Sequence, residues 1–324
     1  SKTMVLNVPE PQRDVICERL PEQISEVEFY VIPVEVMTQN APTAFNDPVF
    51  KDADKSWYLA PIQAQEAWEI TKGSPDVIVG IVDSYMDLNH QELKGERYIY
   101  PYDVVNKTSN VLPPAGSSPN DVGHGTFVTS IAVGTANNNA GLSGIAPNCK
   151  FIPVSLGNTL NTITVVEGLL YCIYHGASVI NISIGSRFSD EVVNMPVNQQ
   201  IAFSEQYCIE QEHMFDYVFK LAEKRNVTIV WSAGNQHCFG AMDTAKRNPN
   251  TIRVAAVDRN LQRAEFSNFG NIRDMGIYES TISAPGVKIW GAVPGNKYML
   301  WDGTSFAAPI ITGVVALLKS QNNQ

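Results

Sequence analysis

Charge and metal-type cysteine spacing are both scarce in this 324-residue chain. Only 17% of its residues are charged, and acidic side chains outnumber basic ones 33 to 23, giving a formal net charge of −10. Phosphate neutralisation needs a basic face, so nucleic-acid partners are excluded on charge. The longest apolar stretch, 307–318, is broken by Pro309, Thr312 and Gly313. A membrane span needs roughly 18 or more continuous apolar residues, so none is expected. The five cysteines, Cys17, Cys149, Cys172, Cys208 and Cys238, form no Cys-x-x-Cys pair. A zinc ribbon or thioredoxin-type motif therefore has no support, and the thiols read as small buried hydrophobes, with room for one disulfide. No signal peptide is visible, but the chain starts at Ser1, so a trimmed N-terminus is expected.

What is present is enough apolar content, 44%, to build a large core. Short β-branched runs at 77–82, 151–154, 179–184, 227–231 and 252–257 have strand length without in/out alternation. That pattern suits strands buried on both faces of a parallel sheet. Helical spacing at 163–174, 214–225 and 306–319 lies between and after them. The reading is an α/β fold, a mostly parallel central sheet with helices on both faces. Residues 1–45 read as a separate β-α-β extension or the remnant of a prosegment, leaving 46–324 as one large domain. The stretch 186–214 is polar and reads as irregular, too long for a simple βα connection.

Three short segments carry chemistry. Asp83 closes the 77–82 strand, His124 sits between glycines at a helix start, and Ser305 opens the last long helix within Gly303-Thr304-Ser305. Catalytic groups in open α/β sheets gather at the carboxyl ends of strands. An Asp, a His and a Ser at such places supply a charge-stabilised nucleophilic site. Each alone is ordinary, as a turn former, a structural histidine or a helix cap. Their order along the chain is what makes them informative.

With those segments in place, the chain resembles the subtilisin-like serine peptidases of the subtilase family over about residues 46–319. The resemblance extends to Asn46-Asp47-Pro48, His90-Gln-Glu-Leu93, Gly144-Ile-Ala-Pro147, Asn181-Ile-Ser-Ile-Gly185, Ser232-Ala-Gly-Asn235, Phe266-Ser-Asn-Phe-Gly270, Ala284-Pro-Gly286 and Gly303 to Pro309. It implies a serine endopeptidase in which Ser305 is the nucleophile, His124 the proton carrier and Asp83 its orienting carboxylate. Asn235 is then the side-chain donor to the oxyanion. Ser183, Ile184 and Gly185, with Ser232, Ala233 and Gly234, would line the pocket for the side chain before the scissile bond. A peptide or protein substrate would lie as an added extended strand. No cofactor is required on this resemblance. Calcium is implied as a structural ion, with Glu92 and Asn138 on the matching positions.

Two departures stand out. Tyr85 follows Asp83-Ser84 where the family has glycine, which would strain the backbone if φ were positive there. Phe127 and Ser130 replace histidine and glycine after His124, and read as packing changes. Many relatives continue beyond the residue matching Gln324, so C-terminal trimming is also expected. Alternatives to general proteolysis are a dedicated precursor-processing protease, motivated by 186–214, and a catalytically idle peptide-binding domain. The resemblance also implies a monomer that is secreted or held at the cell envelope.

Overall fold

The computed structural model describes residues 45–207, 209–243, 247–248, 250–270 and 280–322. The expected N-terminal extension, 1–45, lies outside them except for Phe45.

Seven strands form one parallel sheet: β1 (Ile78–Asp83), β2 (Tyr102–Asp103), β3 (Lys150–Ser155), β4 (Val179–Ile182), β5 (Thr228–Ser232), β6 (Thr251–Val257) and β7 (Ser280–Pro285). Their spatial order is β2-β3-β1-β4-β5-β6-β7, every pairing parallel. A separate antiparallel hairpin pairs β8 (Ile289–Val293) with β9 (Lys297–Trp301). The five strands expected from the sequence are all present, with ends shifted by one or two residues.

The helices are α1 (Ala53–Ser56), α2 (Ala64–Ile70), α3 (Pro119–Val122), α4 (His124–Val133), α5 (Thr162–Tyr174), α6 (Asp190–Val193), α7 (Val197–Tyr207), α8 (Ile209–Lys224) and α9 (Thr304–Asn322). They cover both faces of the sheet. On one face α4 and α9 pack into a core with Val79, Ile81, Val230 and Val254. On the other, α5 and α8 enclose Val82, Ile152, Ile180 and Ile229. Strands with side chains in both cores cannot alternate apolar with polar, which explains their continuous runs. Among the described cysteines, Cys149, Cys172 and Cys238 are free and buried. Burial pushes the thiols of Cys149 and Cys172 upward in pKa, so they act as packing groups.

The polar stretch 186–214 is a correction to the irregular segment expected. It contains α6, α7 and the first turn of α8, and the last of these begins five residues before the expected start at 214. Its apolar residues are few, but Val192, Ile201 and the buried amide of Gln200 supply an inward face. The remaining positions are good helix formers exposed to water, so periodicity was weak where propensity was adequate.

Helix α9 approaches the 134–146 loop so closely that a Cβ added at Gly313 would sit 2.4 Å from Ile145 Cβ. Alanine would gain about 1 kcal/mol of helix propensity there. Overpacking against a backbone-near atom costs about 1–3 kcal/mol, so the clash wins. Gly313→Ala should therefore lower the urea midpoint at unchanged m-value; a raised midpoint would show that the loop yields freely.

Candidate active site

Because the sheet is parallel, the carboxyl ends of β1, β4 and β5 lie along one edge. Asp83 ends β1, Ser183 follows β4, and Ser232 ends β5 with Asn235 just beyond. His124 and Ser305 open α4 and α9 above that edge. The structure thus brings together residues more than 200 positions apart.

Asp83 is fully buried. Its Oδ1 accepts from His124 Nδ1 at 2.7 Å and from the Ser84 N–H at 2.7 Å. Ser84 in turn accepts the Gly125 N–H of α4 through its hydroxyl at 3.1 Å, so strand end and helix start are pinned together. Burial disfavours the charged imidazolium, but the facing carboxylate and its hydrogen bond outweigh this, and the His124 pKa rises above its ordinary 6.5. With Nδ1 committed to Asp83, Nε2 is the nitrogen left to exchange protons.

Tyr85 is not strained: it is absent from the residues of positive φ. Its ring reaches over Gly157, where a Cβ would come within 3.2 Å of the hydroxyl. The departure from glycine is accommodated by side-chain placement, and the pose of Asp83 is intact.

The Ser305 hydroxyl donates to the Ser183 carbonyl at 3.1 Å, and no hydrogen bond joins it to His124. The Ser183 hydroxyl returns the contact, donating to the Ser305 carbonyl at 2.8 Å. The second bond has a cause in the sequence. Pro309 lies inside α9, four residues after Ser305, and has no N–H to give the Ser305 carbonyl. Ser183 supplies the missing donor. Asn181 Nδ2 donates to Ser183 Oγ at 3.0 Å, and Thr312 Oγ1 donates to Asn181 Oδ1 at 2.9 Å, so the chain of bonds closes back on α9.

Asn235 is exposed, and its Oδ1 accepts both the Thr304 N–H at 2.9 Å and the Thr304 hydroxyl at 2.8 Å. A backbone N–H can only donate, so the amide oxygen must face Thr304 and the NH2 must point away from it. Thr304 Oγ1 also accepts the Gly234 N–H at 3.0 Å. Gly234 has φ +108, and a Cβ there would fall 2.4 Å from Asn268 Nδ2, so glycine is required. The predicted pocket residues Ser183–Gly185 and Ser232–Gly234 therefore flank Ser305 from two neighbouring strand ends, with Trp231 Nε1 bonded to the Ile184 carbonyl.

Glu92 and Asn138 do meet, away from this edge. Glu92 is fully buried, and its pKa is raised to about 7, chiefly by burial. It accepts from Tyr298 Oη at 2.6 Å, Asn138 Nδ2 at 3.0 Å and the Leu142 N–H at 3.2 Å. Asp47 joins them through the N–H groups of Asn137 and Asn138 at 2.9 and 3.0 Å, and its carboxyl is also raised by burial. Two buried carboxylates and an amide are oxygen ligands of the kind calcium takes. Among the described residues no group of three or more His, Cys, Asp or Glu is placed to hold a metal.

The profile of Peptidase S8, the subtilase family, matches residues 74–324. Thermitase of Thermoactinomyces vulgaris is 30% identical over 283 residues, covering 85% of each chain. A thermophilic serine proteinase of Bacillus sp. (strain AK1) is 31% identical over 259 residues, 79% of this chain and 55% of that protein. The chain thus spans little more than half of one relative and most of the other. The solved structure of the prenylagaramide maturation protease PagA superposes with a TM-score of 0.61 at 26% identity, covering 80% of this chain and 81% of that one.

The Ser183–Pro309 relation is measurable. Ser183→Ala should destabilise by about 1–3 kcal/mol, the cost of a stranded carbonyl. In a Pro309→Ala background, where an N–H is restored to Ser305, the same change should cost at least about 1 kcal/mol less. Additive urea-denaturation values in this double-mutant cycle would refute the link.

Proposed function

The chain belongs to the subtilase family of serine proteases, and we propose that it hydrolyses peptide bonds through Asp83, His124 and Ser305, with Asn235 as the oxyanion donor. The observation that carries this reading is the 2.7 Å Asp83–His124 bond beside a helix that starts at Ser305.

The Ser305 side chain turns from the Ser183 carbonyl toward His124 Nε2, which takes its proton as the oxygen attacks the scissile carbonyl. Asp83 keeps His124 in the tautomer that leaves Nε2 free, and stabilises the imidazolium that forms. Negative charge on the carbonyl oxygen is met by the Asn235 NH2, by the Ser305 N–H and by the positive end of α9. His124 then protonates the leaving amine, and water releases the acyl group by the reverse sequence. The substrate backbone pairs along Ser183–Gly185 and Ser232–Gly234 as an extended strand.

A second reading, a dedicated precursor-processing protease, is favoured by one observation. The 186–207 segment is folded helical structure set beside the pocket residues, and PagA, a structure of the same fold, is named a maturation protease. Catalysis requires no cofactor on either reading. Glu92, Asn138 and Asp47 would hold calcium, whose charge would offset the burial of two carboxylates.

A fluorophosphonate probe should label Ser305 in the folded protein; a control hydrolase that reacts while Ser305 stays unlabelled would sink the enzyme reading. Asn235→Ala should lower kcat by about 10²–10³-fold with KM little changed, as loss of one oxyanion donor does in subtilisin, the worked case behind that magnitude. Equal losses in binding and turnover would instead make Asn235 a structural residue. For the ion, the thermal midpoint in excess calcium should exceed that in EDTA. A midpoint unmoved by calcium would leave the 137–142 loop held by hydrogen bonds alone.

A further inference from the structure

The segment between β4 and α8 is tied to the opposite side of the substrate pocket at three places. Directly after the pocket residue Gly185, the Ser186 N–H donates to Asp243 Oδ2 at 3.0 Å. Two residues on, Phe188 is clasped by Gln236 in both directions: its N–H donates to Gln236 Oε1 at 2.9 Å, and its carbonyl accepts from Gln236 Nε2 at 2.7 Å. A side-chain amide used this way stands in for a strand, satisfying both backbone groups of one residue. Farther along, the buried Gln200 accepts the Phe239 N–H at 2.9 Å and donates to the carbonyls of Val193 and Met195 at 2.9 and 2.8 Å.

Apolar contact completes the joint. Val192, Cys238 and Met242 are buried together, with Phe188, Met195 and Phe203 packed around them. Gln236 is also the residue after Asn235, and its own N–H is held by Asn268 Oδ1 at 2.9 Å. The two pocket edges, 183–185 and 232–234, therefore run into a shared end made by 186–188 on one side and 236–243 on the other.

We propose that residues 186–207 are a fixed wall closing the pocket for the side chain that precedes the scissile bond, with Gln236 and Asp243 as the positioning residues, and that this wall selects peptides with an uncharged residue there. The proposal deepens the protease reading and rests on it. Its chemical basis is that the polar groups at the pocket end are already committed. The Gln236 amide is used by Phe188. The buried Asp243 carboxylate is used by the Ser186 N–H and attracts the buried Arg253 guanidinium. Arg187, the charged side chain of the turn, is exposed. A lysine or glutamate entering this pocket loses water and meets no uncommitted counter-charge, which burial makes costly. An uncharged side chain meets the same surface without that cost.

The test uses fluorogenic peptides that differ only in the residue before the cleaved bond, leucine, lysine or glutamate, with fluorophosphonate titration of Ser305 in the same samples. Wild-type kcat/KM for the leucine peptide should exceed the other two by at least tenfold. Amide exchange at Phe188 should be slowed to the level of the core strands. In Gln236→Ala the leucine-to-lysine ratio should fall at least fivefold, carried by KM, and Phe188 exchange should accelerate. Equal cleavage of the three peptides by titrated wild-type enzyme overturns the wall while leaving the protease reading intact. So does fast exchange at Phe188 in the wild type, or a uniform loss on all three peptides in the variant. Absence of Ser305 labelling overturns both readings. Should Gln236→Ala not fold, the wild-type selectivity and exchange still decide.

Discussion

Thr304 is the point through which the site is assembled. Its N–H and hydroxyl both go to Asn235 Oδ1, and its hydroxyl oxygen takes the Gly234 N–H. Those three bonds join the end of β5 to the start of α9, and so put the amide of Asn235 beside the nucleophile Ser305. Thr304 is itself fully buried, so none of its bonds competes with water. Losing the hydroxyl would free the amide of Asn235 to rotate and would strand the Gly234 N–H. One side chain therefore fixes both the position of a loop and the orientation of a donor.

The helix that carries Ser305 is held just as firmly on its other flank. Phe127 on α4 stacks on Trp301 at 4.9 Å and contacts Phe306 at 4.5 Å, and Phe306 lies 5.5 Å from the His124 ring. This cluster fills the space between the starts of α4 and α9, the two helices that present histidine and serine. It also explains why Gly291 sits beneath it, since a Cβ there would come 2.4 Å from the Phe127 ring. Ser130, the other departure, donates its hydroxyl to the Phe127 carbonyl and accepts the Ala292 N–H at 3.0 Å, tying α4 to the hairpin. The substitutions at 127 and 130 thus act together as one packing arrangement against β8.

The sheet and the triad were legible because their signals are local. A run such as Val77–Val82 carries its own evidence of double-sided burial, and Asp83, His124 and Ser305 each stand at a punctuated strand end or helix start. The supporting residues carry no such mark. Nothing near Ser183 in the sequence announces that it serves a carbonyl orphaned by Pro309, 126 positions later, because the need arises only when β4 meets α9. Tyr85 was misjudged for the same reason: its neighbours do not reveal that Gly157 leaves room for its ring. The 186–207 helices were missed because they bury only a few apolar positions, and much of their attachment is made by the amides of Gln200 and Gln236, which look like solvent-facing residues in a sequence.

Specificity and rate meet in two consecutive residues. Asn235 is exposed with its NH2 directed away from Thr304, while Gln236 is half-buried and turned toward Phe188. Neighbouring side chains on an extended backbone point to opposite sides, so one short loop offers a donor to the reaction and a clasp to the wall. Asn268 holds this loop from behind, giving Nδ2 to the Ala233 carbonyl at 3.1 Å and taking the Gln236 N–H with Oδ1. A displacement of the wall is therefore resisted by the same bonds that keep Asn235 in place. A rotation of the loop large enough to admit a misfitting side chain would also move the oxyanion donor. A poorly matched substrate then loses on turnover as well as on binding, because bound geometry and transition-state stabilisation depend on one set of hydrogen bonds.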